Sequence, residues 1–176
     1  MKTRRLHIIR DTSEQLGFDF KTVKPGTHFD DVPIIIDHSL DAMDYSLPGL
    51  TRRVGVERKG PDDLVKSLQE GRDRLLAMFT RALEMDAPLF LIEMPESFYL
   101  AGHHHGSMSG EAVIQSVRSI CQAFRMPYKF CNGREDAEQT TYDHLRHFWI
   151  HRYKNKPSFM ERALLIEWDT LQQATT

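Results

Sequence analysis

Short apolar runs that stop at polar or turn-forming residues alternate along the chain with longer stretches whose apolar positions recur every three or four residues. Leu6-His7-Ile8-Ile9 is rich in β-branched residues and ends at the polar Arg10-Asp11-Thr12-Ser13-Glu14-Gln15, as a buried strand would, which puts Asp11 at the strand's end. An irregular connection over 16–32, containing Pro25-Gly26 and room for one extended piece, leads to a second strand at Pro33-Ile34-Ile35-Ile36. Arg53 to Lys59 alternates and is ended by Gly60-Pro61, which predicts a third strand in a hairpin after Ser46 to Arg52. Asp62 or Asp63 then opens one long amphipathic helix from Leu64 to Met85, its stripe being Leu64, Leu68, Leu75, Leu76, Phe79 and Leu83.

The continuous apolar run Pro88 to Ile92 suits a central buried strand. A loop over 95–110 carries His103-His104-His105, and Glu111 to Phe124 returns to helical period with Val113, Ile114, Val117, Ile120 and Cys121 on one face. Pro127 to Cys131 is the last strand candidate, and Arg134 to Trp149 is helical, followed by a C-terminal helical extension over about 157–173 that includes Phe159 to Leu171. Strands alternating with helices predict an α/β fold with helices layered on a mixed central sheet. With no repeat and no Gly/Ser linker, residues 1–176 read as a single domain.

Composition adds exclusions rather than a function. A hydrophobic fraction of 40% and a charged fraction of 27% are those of an ordinary globular chain. The net charge of -2 and a pI near 6.5 mean that a polyanion would have to be held by a local basic patch. Cys121 and Cys131 lack zinc-knuckle spacing and are too few for a secreted disulfide framework, so reduced thiols in a cytoplasmic setting are expected. No apolar stretch approaches the length needed to cross a bilayer, and the basic start Met1 to Arg5 precedes too short an apolar run for a signal peptide.

Candidate chemistry centres on Asp44 in a loop, followed thirteen positions later by Glu57-Arg58-Lys59 on the third strand. Alternation along a strand projects Glu57 and Lys59 to one side and Arg58 to the other, and the hairpin can return Asp44 to Glu57. Two carboxylates offering hard oxygen ligands suit Mg²⁺ or Mn²⁺, and a lysine beside them can orient a water or neutralise charge growing at a phosphate. An acid and a Glu-x-Lys pair also occur by chance on solvated strand faces. Asp11 and Glu14 at another strand end, with Asp63 just after the lysine, give five acids routes to one edge.

These residues resemble the XPF-type structure-selective nuclease domain, whose pattern includes Asp-x-Arg-Glu, Gly-Asp-Tyr and Glu-Arg-Lys-x-x-x-Asp. Met43-Asp44-Tyr45-Ser46 stands for the second segment and Glu57-Arg58-Lys59-Gly60-Pro61-Asp62-Asp63 for the third, continued by Ser67-Leu68 and Gly71-Arg72. Asp11-Thr12-Ser13-Glu14 stands for the first, and Leu89 to Glu93 for the apolar strand that follows, so the resemblance covers roughly Leu6 to Trp149. It implies a three-layer, restriction-endonuclease-like domain that hydrolyses DNA phosphodiester bonds, selective for branches, flaps or junctions and without an organic cofactor. Asp44, Glu57, Asp11 and Glu14 would be the metal ligands and Lys59 the catalytic lysine, with Arg58, Asp63 and Arg72 in support. Homodimers formed through helices around 111–152 and a stand-alone domain are further implications, and the small size without accessory domains points to a phage or prokaryotic origin. Ser13 stands where the pattern has arginine and Met43 where it has glycine, so a catalytically altered DNA-binding or scaffolding relative is the alternative.

Other features have two readings each. Arg52 and Arg53 in the hairpin can reach a phosphate, as can Arg58, or the hairpin pair can simply be solvated; Arg72 and Arg74 on the helix are similarly open. Adjacent histidines rarely face one ion well, so His103 to His105 read as a polar loop. His144 to Lys154 is basic and aromatic, suited to phosphate contact and base stacking, but Leu145, Phe148 and Trp149 also read as the core face of a helix. Met78, Phe79 and Met85 read as core, and Cys121 as buried and unreactive.

Overall fold

The computed structural model describes residues 4–153. The helical extension expected over 157–173 lies outside them.

The element order is β1 (His7–Arg10), β2 (Ile34–Asp37), β3 (Tyr45–Ser46), β4 (Val54–Lys59), α1 (Pro61–Gln69), α2 (Arg72–Ala82), β5 (Ala87–Ile92), α3 (Glu96–Leu100), α4 (Gly110–Ala123), β6 (Tyr128–Phe130) and α5 (Arg134–Tyr153). One six-stranded sheet runs β2-β1-β3-β4-β5-β6. The pairs β1/β2, β4/β5 and β5/β6 are parallel, while β3 lies antiparallel to both β1 and β4. The mixed α/β architecture expected from the alternation of patterns is therefore present.

Both faces of the sheet are covered, which is why β5 is apolar throughout rather than alternating. Leu89 and Leu91 join one core with Ile8, Val54, Val56, Tyr142 and Leu145 beneath α5. Phe90 and Ile92 join the other, with Leu64, Leu68, Phe79, Val113 and Val117 from α1, α2 and α4. Phe148 and Trp149 pack against the first core, so the apolar face of α5 is turned to the sheet. No helix among the described residues is long and apolar enough to cross a membrane.

The single helix expected from Leu64 to Met85 is two. The backbone N–H groups of Glu70 and Gly71 both donate to Lys66 O, at 2.9 and 3.0 Å, and close α1; Gly71 O then accepts from Leu75 N at 3.0 Å to start α2. The apolar stripe hides this break because Leu68 and Leu75, seven residues apart, stay on one face. α1 itself begins as the sequence implies, with Pro61 in its first turn followed by Asp62 and Asp63 at the positive end of the helix.

The loop expected over 95–110 contains α3, five residues long and too short to show a period. The connection over 16–32 has no strand, but it is not peripheral. Phe18 and Phe20 are fully buried against Tyr45, Phe18 stacked on its ring at 5.3 Å between centroids and Phe20 edge-on to it at 5.7 Å. Phe20 N donates at 2.6 Å to the buried Glu138 carboxylate on α5, which ties the segment down.

Candidate active site

Strand pairing brings the hairpin acid to β4. Tyr45 is in register with Val56, and Asp44 N donates to Val56 O at 2.9 Å, so Asp44 arrives opposite Glu57. Its Oδ2 accepts from Arg58 N at 2.7 Å, which fixes the carboxylate beside the strand. Asp11 N in turn donates to Asp44 O at 2.8 Å, which puts the end of β1 next to both.

Glu57 and Lys59 project to one side, as alternation requires, and Lys59 Nζ lies 2.8 Å from Glu57 Oε1. Burial works against the ammonium, but Glu57 and then Asp44 and Asp63 outweigh it and hold its pKa above the ordinary lysine value. Burial, then repulsion from Glu57, pushes the Asp44 carboxyl well above the usual range, against the pull of Arg58 N–H and Lys59. Asp11 is buried too, yet hydrogen bonds from the Ser13 hydroxyl and from the N–H groups of Leu40 and Ser13 hold its pKa low.

Arg58 points the other way and is nearly fully buried. Its Nη2 lies 3.0 Å from Glu14 Oε1 and its Nη1 lies 2.5 Å from Glu93 Oε2, with only 7–9% of each side chain exposed. Arg134, at the start of α5, approaches Glu93 Oε1 at 3.6 Å and donates to the carbonyls of Leu16 and Gly17 at 2.8 Å. Both guanidiniums lie over the Phe18 ring, at 5.3 and 5.0 Å. In this arrangement Arg58 presents no free face to a phosphate, and Glu14 is engaged with it rather than turned to Asp44.

A cavity of about 840 Å³ is lined by Asp11, Asp44, Glu57, Lys59 and Asp63, along with Lys66, Arg74 and Arg81. Glu14, Arg58, Glu93 and Arg134 line a neighbouring cavity that shares Asp44, Glu57, Lys59 and Asp63. Arg72 is exposed at the start of α2 and lines neither. Arg53 lies just before β4, at the end away from Lys59, where its Nε is 2.5 Å from Asp86 Oδ2. Arg52 is exposed and 3.6 Å from Asp41.

Among the described residues no group of three or more His, Cys, Asp or Glu side chains converges to hold a metal ion. Asp44 and Glu57 do fit a cation of the Mg²⁺ type, which is commonly held by one or two carboxylates and keeps several waters. Burial and then repulsion from Glu57 lift the Asp44 pKa, and a bound cation would relieve that repulsion. The three histidines do not converge: His105 Nδ1 sits 3.0 Å from Asp62 Oδ1 and His104 Nε2 3.0 Å from Met108 O. Both cysteines are free and buried, and burial pushes the Cys121 thiol up to about 12.

Sequence reasoning did not single out Glu93, Arg134, Lys66 or Arg81. Glu93 ends an apolar run and reads as its polar boundary; its partner Arg58 lies 35 positions away, and only the parallel pairing of β4 with β5 joins them.

No family model and no curated protein matches the chain. Among solved structures it is similar to XPF from Aeropyrum pernix, with a TM-score of 0.58 and 16% identity over 89% of this chain and 69% of that one. The same protein in complex with DNA matches with a TM-score of 0.57 and 16% identity, over 84% of this chain and 66% of that one. The chain thus has the fold of an XPF-type, restriction-endonuclease-like nuclease domain.

Proposed function

We propose that the chain is a metal-dependent endonuclease that hydrolyses DNA phosphodiester bonds at the Asp44–Glu57–Lys59 site. The observation that carries this reading is the placement of Lys59, 2.8 Å from Glu57, beside a carboxyl whose charge is disfavoured until a cation shares it. The similarity to a structure solved with DNA supports DNA as the substrate.

Asp44 and Glu57 would hold Mg²⁺ or Mn²⁺, with Asp11 at the cavity edge and Glu14 available only if Arg58 releases it. When bound, such an ion supplies charge neutralisation at a phosphoryl oxygen and makes a water more acidic. Lys59 carries its charge under ordinary conditions and can orient that water or offset negative charge growing on the phosphate. Asp63, on the first turn of α1, adds to the field that keeps Lys59 protonated.

The test combines cleavage and binding. Labelled duplex, flap, fork and single-stranded DNAs are incubated with Mn²⁺ or Mg²⁺, and the thermal midpoint is followed with and without metal. Cleavage by the wild type, and a metal-induced rise in midpoint, are both expected to disappear in Asp44→Ala and Glu57→Ala. Undiminished cleavage by both variants, or no cleavage of any DNA by the wild type, would sink the reading. One observation favours the altered, DNA-binding alternative: Glu14 is spent on Arg58. That alternative expects binding of the same DNAs with no cleavage in either metal.

A further inference from the structure

Of the four acids expected at the metal, Glu14 is engaged by an arginine, and that arginine belongs to a chain of four charges. Glu14 pairs with Arg58, Arg58 with Glu93 and Glu93 with Arg134, at 3.0, 2.5 and 3.6 Å. The side chains of Glu14, Arg58 and Glu93 are more than nine-tenths buried, while that of Arg134 is 47% exposed.

The two carboxylates on Arg58 are not held alike. Glu93 ends β5, where its N–H donates to Lys59 O at 3.0 Å, so strand pairing fixes its backbone. Its two oxygens face two cations, Oε2 toward Arg58 and Oε1 toward Arg134. Glu14 instead lies in a turn, and one oxygen, Oε1, accepts from both Arg58 Nη2 and Leu16 N. It borders the cavity of about 1110 Å³ that also contains Asp44, Glu57 and Lys59, so Glu14 and the acidic pair open onto one space.

Charge gives Glu14 a reason to change partner. Asp44, Glu57 and Lys59 together carry one negative charge, so a divalent cation between them leaves one positive charge in excess, which draws a further carboxylate. A guanidinium as buried as that of Arg58 nevertheless needs a counter-charge in every state of the site. Arg58 also stays in place over the buried Phe18 ring, at 5.3 Å, rather than following Glu14.

We propose that Glu93 is a positioning residue for the metal site: by keeping Arg58 compensated, it lets Glu14 leave Arg58 and join Asp44 and Glu57 around a divalent cation. The inference rests on the metal-dependent reading given above and adds a residue that touches neither metal nor substrate. Without the Glu93 charge, Glu14 becomes the only carboxylate on Arg58, and its departure would strand a buried cation. The buried Nε of Arg58, which has no hydrogen-bond partner, gives the guanidinium a spare donor with which to grip Glu14 further.

The experiment titrates the full chain with Mn²⁺, reading the free ion from its electron paramagnetic resonance signal, and determines crystal structures of the Mn²⁺ complexes. Glu93→Gln, which keeps an oxygen for Arg58 but loses the charge, is expected to weaken Mn²⁺ binding about tenfold, the size typical of a residue behind the ligands. Glu14→Gln should weaken it by a similar factor, and Glu93→Asp, which keeps the charge, should recover most of the affinity. Glu14 should be among the ligands in the wild-type complex and should remain on Arg58 in Glu93→Gln. Glu96→Gln removes an equal charge from the exposed pair with Arg118 and should change nothing. Unchanged Mn²⁺ affinity in Glu93→Gln or in Glu14→Gln overturns the inference. So does Glu14 bound to the ion in Glu93→Gln, because the loss of affinity would then arise from field or fold alone. In each of those cases a wild type that binds Mn²⁺ and cuts DNA leaves the nuclease reading standing. A wild type that neither binds Mn²⁺ nor cuts DNA overturns both.

Discussion

Arg58 on β4 and Glu93 at the end of β5 form an ion pair at 2.5 Å with both side chains more than nine-tenths buried. Such a pair matters chiefly when one partner is lost, because the other is left as an uncompensated charge out of reach of water. Glu93→Ala, which leaves Arg58 only Glu14, is expected to destabilise the chain by about 1–3 kcal/mol in urea unfolding, and Arg58→Met, which strands both Glu14 and Glu93, to cost more. A cost in Glu93→Ala below about 0.5 kcal/mol, the size of an ordinary surface change, would mean that the pair is open to solvent.

Asp44 illustrates a conflict between stability and chemistry. Its folded pKa lies above the unfolded value, so the ionised carboxylate costs stability at neutral pH and the cost fades as pH falls through the raised pKa. Asp44→Asn keeps an oxygen for Arg58 N but removes the charge. Without metal the variant should melt at least about 2 °C higher than wild type at pH 7, the shift expected from ~1 kcal/mol in a domain of this size. The gain should shrink toward pH 4; an equal gain at both pH values would disconnect it from the charge.

Met43 occupies the position where a glycine was expected, at φ 69, and its buried side chain lies over Gly55. A Cβ on Gly55 would come within 2.7 Å of Met43 Cγ and 3.0 Å of Met85 Cε. Gly55→Ala is therefore predicted to cost about 1–3 kcal/mol through overpacking. Met43→Gly removes the left-handed strain, about 1 kcal/mol, but also a buried methionine worth more, for a net loss of roughly 1–3 kcal/mol. The double variant should be less destabilised than the sum, and a strictly additive cycle would show that the two sites do not touch.

His144 is half-buried on α5, with Nε2 3.0 Å from Ala87 O. Burial holds its pKa below the ordinary 6.5, and the same is true of His7 on β1. The unfolded chain therefore takes up protons first as pH falls, so this contribution to stability is complete above about pH 6.5 and is lost below it. Urea unfolding between pH 5 and 8 should show stability falling on the acid side. His144→Gln, which keeps an N–H donor and does not titrate, should flatten part of that slope, with His7 supplying the remainder. An identical slope in the variant would exclude His144 as a source.

Much of the strand framework was legible because each strand is a short apolar run with a sharp end: Ile8-Ile9 before Asp11, Val54 to Lys59 before Gly60-Pro61. The Asp44–Glu57–Lys59 geometry was legible for a related reason, since a period of two and one hairpin are all it needs. What was not legible depends on chain crossings. Glu14 read as a free acid because nothing local reveals that Arg58, 44 positions on, claims it. Phe18 and Phe20 sit in a segment with no period at all, and their burial comes from Tyr45 and Glu138, distant in sequence. The helix break escaped notice because a stripe spaced by seven survives it.

That break has a bearing on reach. An unbroken helix would hold Asp63 and Arg81 about 27 Å apart along a straight rod, at 1.5 Å per residue. With the turn at Glu70–Gly71, residues from both ends border a single recess, so two short segments share the work of one corner. The mouth of the recess is then set by a backbone bend instead of by side-chain length. A helix-favouring residue at Gly71 would meet the Ser67 backbone, its Cβ 3.2 Å from Ser67 Cα, and would alter how far apart the cations on the rim stand without replacing any of them.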